Sequence, residues 1–204
     1  MKLIFENWRK FINEETVAFH GYKMEPEQMR VPACDSPGSQ DEKHGYADKQ
    51  WTTDDEGRGC PDFSHDKDIG TDHPDIKQAV EYLNNIMDNN DTLIAYSRGG
   101  AVALATLAIS KHDPFVVFVA PAWKRGWVKG IESPAYSNGV IIHGIDDDRV
   151  PLAHSAELSL RTGMPLYAFP GRNHVNILKH KSEPQSGRLL SQEEKEKLVN
   201  ETNP

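Results

Sequence analysis

The sequence contains only two cysteines, Cys34 and Cys60, among its 204 residues. Two cysteines cannot build the disulfide framework that many small secreted proteins use in place of a large core. Neither belongs to a Cys-x-x-Cys pair, so the usual cysteine pattern of a structural zinc site is absent too. Reduced thiols are the simplest interpretation, and we expect a cytoplasmic protein without a metal ion.

The chain also lacks basic runs and long hydrophobic runs. Its formal net charge is −8, and no cluster of Lys and Arg offers the basic face that phosphate binding needs, so nucleic acid is excluded as a main partner. The longest apolar stretches, such as FVVFVAPAW, reach about half of the roughly 20 residues that a membrane helix requires. We therefore expect no membrane span.

What the chain does have, from residue 16 onward, is an alternation of short apolar runs with polar helical stretches. The runs are TVAFHG, RVPAC, TLIAYS, FVVFVAP, GVIIHG and PLYAFPG. Their β-branched and aromatic content predicts strands, and the alternation is typical of a parallel sheet covered by helices. The sequence thus predicts an α/β fold with a mostly parallel sheet of about six strands. Helices are predicted at 74–89, 98–111, 152–161 and 192–200.

Two parts of the chain depart from this pattern near its beginning. Residues 1–15 place apolar side chains at helical spacing and predict an amphipathic arm before a single domain at 16–204. Residues 39–71 form a long polar loop, which exceeds the ordinary length of loops in compact domains. This loop is either a cover over a site or a flexible excursion.

A third such segment, 121–138, is interpreted as a short lid-like insertion. It carries Trp123, Trp127 and Tyr136 among basic residues, which makes these aromatic side chains candidates for substrate binding. An ordinary surface loop with a packed tryptophan explains the same pattern.

The strongest chemical signal is the segment TLIAYSRGGAVALATLA, in which an apolar strand runs into Ser97 and then into an Ala-rich helix. A serine hydroxyl is a poor nucleophile at neutral pH, so catalysis needs it on a sharp turn, near a base and at the positive end of a helix. A serine in any tight strand-to-helix turn is the alternative.

Two further signals follow later strands. VIIHGIDDDRVP offers a carboxylate just beyond a strand end, from Asp146, Asp147 or Asp148; a solvated acidic turn or a divalent cation site are the alternatives. PLYAFPGRNHVNI places His174 in a loop after a strand. A single histidine is more often a surface residue, but a base in this position completes a nucleophile–base–acid set.

Together these motifs resemble the α/β-hydrolase family. The family's elbow reads G-x-S-x-G, with Ala95 here in place of the first glycine, its acid lies in an H-G-x-x-D-x-x-V-P pattern, and its order is serine, acid, histidine. The resemblance implies a catalytic triad of Ser97, Asp147 and His174. It also implies a reduced version of the fold, because the strand pair that usually precedes the first His-Gly strand is missing.

The segment TVAFHGYKMEP resembles the family's early His-Gly strand. The resemblance implies an oxyanion hole formed by the backbone N–H groups of Tyr22 and Arg98. It implies a serine hydrolase that cleaves carboxylic esters of a small-molecule acyl substrate through an acyl-enzyme, without a cofactor.

Three alternatives stay open. A thioesterase, amidase or peptidase would use the same triad, and a binding protein would keep the fold without activity. A metal-dependent hydrolase would use His65, Asp66 and His73 with the aspartate run. The sequence leaves the oligomeric state undetermined.

Overall fold

A computed structural model of the chain describes residues 16–19, 51–53, 59–61, 69–70, 72–86, 92–110, 112–123, 128–129, 136–178 and 187–202. The predicted arm at 1–15, the run RVPAC, Tyr22 and Trp127 lie outside these residues.

Within the described ranges the chain forms ten strands and four α-helices. The strands are β1 (Thr16–Phe19), β2 (Trp51–Thr53), β3 (Gly59–Pro61), β4 (Ile69–Gly70), β5 (Thr92–Tyr96), β6 (Phe115–Val119), β7 (Val128–Lys129), β8 (Gly139–Gly144), β9 (Leu166–Phe169) and β10 (Arg188–Leu189). The helices are α1 (Pro74–Ile86), α2 (Arg98–Ile109), α3 (Leu152–Thr162) and α4 (Gln192–Thr202), and a 3-10 turn covers Asn176–Leu178.

Six of the strands form one sheet in the order β1-β5-β6-β8-β9-β10. The first five run parallel to one another, and β10 is antiparallel to β9 at the edge. This confirms the predicted α/β class and the mostly parallel sheet of about six strands. The edge strand β10 is not among the predicted strands, because its two residues are too few for a periodic pattern.

The central strands are apolar on both faces of the sheet. In β5, Leu93 and Ala95 belong to the main core, whereas Ile94 and Tyr96 belong to a second cluster. Because successive side chains of a strand point to opposite faces, the two clusters cover opposite sides of the sheet. Burial on both faces explains why this strand is a continuous hydrophobic run rather than an alternating one.

The helices begin and end near their predicted positions. Helix α1 begins at Pro74. Proline is suited to the first helical position, because a backbone N–H there would have no hydrogen-bond partner within the helix. Helix α3 ends at Gly163, which has a left-handed φ of 75° that glycine adopts without steric cost. Ten consecutive residues of α2, from Arg98 to Leu107, are buried, so this helix lies inside the protein directly behind the serine.

The polar segment 39–71 and the insertion 121–138 meet in the structure. Strands β2 and β3 pair with each other, and β4, at the end of the polar segment, runs parallel to β7 of the insertion. The proposed covering role of 39–71 stays a prediction. None of the described helices is long and apolar enough to cross a membrane.

Candidate active site

Three chemically distinctive side chains follow three parallel strands of the main sheet. Ser97 comes directly after β5, Asp147 three residues after β8, and His174 in the loop after β9. The carboxyl ends of parallel strands lie at one edge of a sheet, which brings their following loops together. This edge is the candidate active site.

Ser97 has a backbone conformation that non-glycine residues rarely adopt, with φ 52° and ψ −119°. Such a conformation costs about 1–3 kcal/mol and persists only where surrounding contacts enforce it. Two hydrogen bonds do so: the N–H of Ser97 donates to the carbonyl of Val119 at 3.0 Å, and the N–H of Ala122 donates to the carbonyl of Ser97 at 2.8 Å. The turn is therefore held by the last residue of β6 and by the segment that follows this strand.

Gly100 explains why a small residue follows the serine by three positions. A Cβ built on it would lie 2.7 Å from the Cβ of Pro121, closer than real atoms approach. The absence of a side chain lets the first turn of α2 approach the segment after β6, which carries Pro121 and Ala122. The same segment holds the backbone of Ser97.

The structure brings the three predicted side chains into one hydrogen-bonded path. His174 Nε2 lies 2.9 Å from Ser97 Oγ, and His174 Nδ1 lies 2.7 Å from Asp147 Oδ2. A carboxylate only accepts hydrogen bonds, so Nδ1 carries the proton and Nε2 presents its lone pair to the serine hydroxyl. This is the arrangement in which an imidazole can act as a general base.

Asp147 differs from its two neighbours in the aspartate run. Its side chain is buried, whereas Asp146 and Asp148 are exposed. Burial raises the pKa of Asp147, but hydrogen bonds from His143, His174 and the N–H groups of Val150 and Arg149 outweigh it and hold the pKa well below its usual range. Asp147 is therefore a carboxylate at neutral pH.

Tyr96, the last residue of β5 and the one directly before Ser97, contacts His174. Its hydroxyl donates to the backbone carbonyl of His174 at 2.8 Å, and its ring centroid lies 5.0 Å from that of the imidazole. Burial and the nearby charge of Asp147 raise the pKa of Tyr96, so the hydroxyl keeps its proton and stays a donor. Sequence reasoning missed this residue, although an aromatic polar side chain directly before the serine was a usable signal.

Arg98 begins α2 immediately after Ser97, so its backbone N–H belongs to the positive end of the helix. Its guanidinium forms a buried ion pair with Asp75 in the first turn of α1, with 2.8 Å between Nη2 and Oδ2. The pair ties the beginnings of two helices together next to the elbow. The oxyanion role of Arg98 stays a prediction, and its proposed partner Tyr22 lies outside the described residues.

The aromatic candidates for substrate binding have different positions. Trp123 is completely buried in the main core, and the guanidinium of Arg161 lies 5.9 Å from the centre of its ring. Tyr136 is also buried against that core. Both side chains have a packing role here, and their role in binding, like that of Trp127, stays a prediction.

No group of three or more His, Cys, Asp or Glu side chains suited to a metal ion occurs in the described part of the chain. His73 lies just before α1, where its Nδ1 accepts a hydrogen bond from the N–H of Asp75. His65 and Asp66, which the metal alternative adds to His73 and the aspartate run, fall outside the described ranges.

No protein-family model matches the chain, and no curated protein does. A solved structure described as a predicted CIB-like hydrolase from Thermoplasma acidophilum is similar over 93% of this chain and 84% of that one, with 20% sequence identity and a TM-score of 0.48. The geometry of the site is thus the basis for a functional proposal.

Gly144 offers a direct test of how the acid and histidine loops meet. A Cβ on this residue would lie 2.1 Å from the backbone oxygen of Arg172, the same oxygen that accepts a hydrogen bond from Asp146 N–H. We expect Gly144→Ala to force the two loops apart, which lowers the free energy of unfolding by about 1–3 kcal/mol. It should also lower, by at least about tenfold, any catalytic activity that depends on the hydrogen bond between Asp147 and His174, because the carboxylate moves away from the imidazole.

Urea unfolding and steady-state kinetics measure the two effects. Gly163→Ala is the matched control: its left-handed φ of 75° makes alanine costly, yet no atom lies within 4 Å of the added Cβ. This control should lose stability and keep full activity. Wild-type activity in a folded Gly144→Ala protein would contradict the prediction.

Proposed function

We propose that this protein is a serine hydrolase that cleaves carboxylic esters through an acyl-enzyme intermediate. The observation that most directly supports it is the hydrogen-bonded path from Ser97 Oγ through the imidazole of His174 to Asp147 Oδ2, with separations of 2.9 and 2.7 Å. Such a path lets a neutral serine deliver its proton to a base as it attacks. The strained backbone of Ser97, which is typical of a nucleophile elbow, supports it independently.

The acylation step begins with attack of Ser97 Oγ on the ester carbonyl carbon. The hydroxyl proton moves to His174 Nε2 as the new C–O bond forms, and the resulting imidazolium is stabilised by the charge of Asp147. The carbonyl oxygen becomes an oxyanion, for which the backbone N–H of Arg98 at the positive end of α2 is the proposed donor. The ester C–O bond then breaks, and His174 returns the proton to the departing alkoxide.

Deacylation repeats the same proton transfers with water. His174 Nε2 removes a proton from a water molecule, and the hydroxide adds to the acyl carbon. The second tetrahedral intermediate breaks its bond to Ser97 Oγ, which recovers its proton from the imidazolium. The products are a carboxylic acid and an alcohol, and the enzyme returns to its starting protonation state.

Two exposed aliphatic residues lie close in sequence to the proposed catalytic groups and are candidates to contact an acyl substrate. Val175 directly follows the proposed base, and Ile145 lies two residues before the proposed acid; 44% and 40% of their surfaces are exposed. Exposed aliphatic residues beside polar catalytic groups are suited to contact the hydrocarbon part of a substrate.

Covalent labelling tests the proposal. A fluorophosphonate probe should react with the wild-type protein, because an activated serine oxygen displaces fluoride and forms a stable phosphonate ester. Peptide mass analysis should locate the modification on Ser97, and Ser97→Ala should abolish it. Ser137→Ala removes an exposed serine instead and is the matched control that should keep full labelling. Folded wild-type protein that does not react would contradict the proposal.

The chemical class of the substrate needs a second measurement, because the same triad hydrolyses thioesters and amides. A panel of one acyl group attached to p-nitrophenol, to a thiol and to p-nitroaniline separates these activities. We expect the highest kcat/KM for the ester. A preference for the thioester or the anilide would move the assignment to a thioesterase or an amidase while keeping the mechanism.

A further inference from the structure

A second histidine, His143, contacts the proposed catalytic acid from inside the protein. It lies in β8, and its side chain is completely buried. Burying an imidazole is costly unless its nitrogens are hydrogen-bonded. Both are: Nδ1 lies 2.6 Å from Ser155 Oγ of α3, and Nε2 lies 2.9 Å from the carbonyl oxygen of Val150.

The partners of His143 determine which of its nitrogens carries the proton. A backbone carbonyl only accepts, so Nε2 must be the donor toward Val150. A neutral imidazole then presents Nδ1 as an acceptor, and the hydroxyl of Ser155 is the donor that matches it. Ser155 is itself completely buried, so its hydroxyl depends on this partner. The Val150 carbonyl thus fixes the Nε2–H tautomer of His143, as Asp147 fixes the Nδ1–H tautomer of His174. The Ser155 hydroxyl then donates to the remaining nitrogen, Nδ1, and anchors the ring.

The same Nε2–H group also reaches the proposed acid. It lies 3.2 Å from Asp147 Oδ2, the oxygen that accepts the hydrogen bond from His174. The other carboxylate oxygen, Oδ1, accepts from the N–H groups of Arg149 and Val150, each at 2.9 Å. Four donors therefore surround the carboxylate, two on each oxygen, and define its rotation about the Cβ–Cγ bond.

We infer that His143 is a positioning residue of the proposed triad: its Nε2–H group, set by the Val150 carbonyl on a ring anchored by Ser155, holds Asp147 Oδ2 in line with His174 Nδ1. This inference rests on the proposed function. Without the donor from β8, Oδ2 keeps only the contact with His174, and the carboxylate can rotate toward the N–H groups on its other side. A catalytic group displaced by about 1 Å costs up to about 100-fold in rate.

A pair of amide substitutions separates this role from simple packing. In His143→Gln the amide nitrogen reaches the place of imidazole Nε2 and can donate to Asp147 and Val150. In His143→Asn the shorter amide reaches only the place of Nδ1, so the contact with Ser155 is kept and the donor to Asp147 is lost. Both variants replace the same buried ring by an amide, and they differ in which partner they reach.

We expect His143→Asn to lower kcat for ester hydrolysis about 10- to 100-fold with little change in KM. His143→Gln should recover activity to within a few-fold of the wild type. Ile141→Val is the matched packing control, because Ile141 is two residues earlier on the same face of β8 and loses a buried methylene but no donor. This control should lose stability and keep kcat.

A proton NMR signature decides the inference independently of activity. The proton on His174 Nδ1, hydrogen-bonded to a carboxylate, should give a far-downfield resonance in wild-type protein. It should stay in His143→Gln and Ile141→Val, and shift upfield or disappear in His143→Asn. If wild-type protein does not hydrolyse esters, the proposed function fails, and the resonance still tests the positioning role.

Two results would overturn the inference. One is a folded His143→Asn protein with wild-type kcat and an unchanged resonance. The other is an equal loss in His143→Asn, His143→Gln and Ile141→Val, which would indicate packing alone. Should His143→Asn fail to fold, Ser155→Ala tests the same path, because it removes the hydroxyl that anchors the imidazole at Nδ1 and lets the ring shift its Nε2–H group away from Asp147. We expect a smaller loss of kcat and the same direction of change in the resonance; no change in either would contradict the inference.

Discussion

Replacing Ser97 with alanine is expected to lower kcat for ester hydrolysis by about a million-fold, the loss typical of removing the nucleophile of a serine triad. The oxygen that would bond to the acyl carbon is gone, and His174 has no hydroxyl proton to accept. What remains is the contribution of substrate binding and the oxyanion site, worth about 10³- to 10⁴-fold over the reaction in water. Measuring so low a kcat needs a sensitive fluorogenic ester and a preparation of the variant that contains no wild-type enzyme.

The backbone of the elbow provides a control for this variant. Ser97→Ala keeps the positive φ of 52° and its strain, whereas Ser97→Gly removes the hydroxyl and relaxes the backbone. Both should be inactive, and the glycine variant should be at least as stable as the alanine variant, since about 1–3 kcal/mol of strain is relieved against a smaller entropy cost. A folded alanine variant that retains even a hundredth of wild-type kcat would contradict the assignment of Ser97 as nucleophile.

The convergence of Ser97, Asp147 and His174 can be predicted from the sequence for a simple geometric reason. Each residue lies shortly after an apolar run, and strands that run parallel end at the same edge of the sheet. The runs themselves were readable because burial on both faces makes a strand continuously hydrophobic. The pattern of apolar runs and the geometry of a parallel sheet are together enough to predict that these distant residues meet.

The residues that support the site cannot be predicted from the sequence in this way. Tyr96 reaches the backbone of His174, Asp75 pairs with Arg98, and the ring of His143 bridges to Ser155. Each pair joins two elements whose relative position depends on side-chain packing, and no local sequence pattern encodes that packing. A polar residue inside an apolar strand, as in VIIHG, indicates only that a partner must exist and does not identify it.

Replacing Asp147 with asparagine is expected to lower kcat by about 10⁴-fold and also to destabilise the protein. The rate falls because an amide lacks the charge that stabilises the imidazolium, and because an amide nitrogen facing His174 Nδ1 forces the proton onto the wrong ring nitrogen. The loss should appear in kcat and in kcat/KM, since the interaction is strongest in the transition state.

The loss of stability follows from the four donors around the carboxylate. Oδ2 lies near imidazole nitrogens of His174 and His143, and Oδ1 accepts from two backbone N–H groups. An asparagine must place its amide nitrogen at one of these positions, so a donor faces donors in either orientation. One such conflict at a buried site costs about 1–3 kcal/mol.

The aspartate run supplies matched controls for this prediction. Asp146→Asn and Asp148→Asn make the same chemical change at the exposed neighbours, which should keep kcat and stability close to wild type. Kinetics with a p-nitrophenyl ester and urea unfolding of the three variants compare the positions directly. If Asp146→Asn or Asp148→Asn lost activity while Asp147→Asn kept it, the acid of the triad would be a different residue. Four donors converging on a single side chain are the physical reason to expect the opposite.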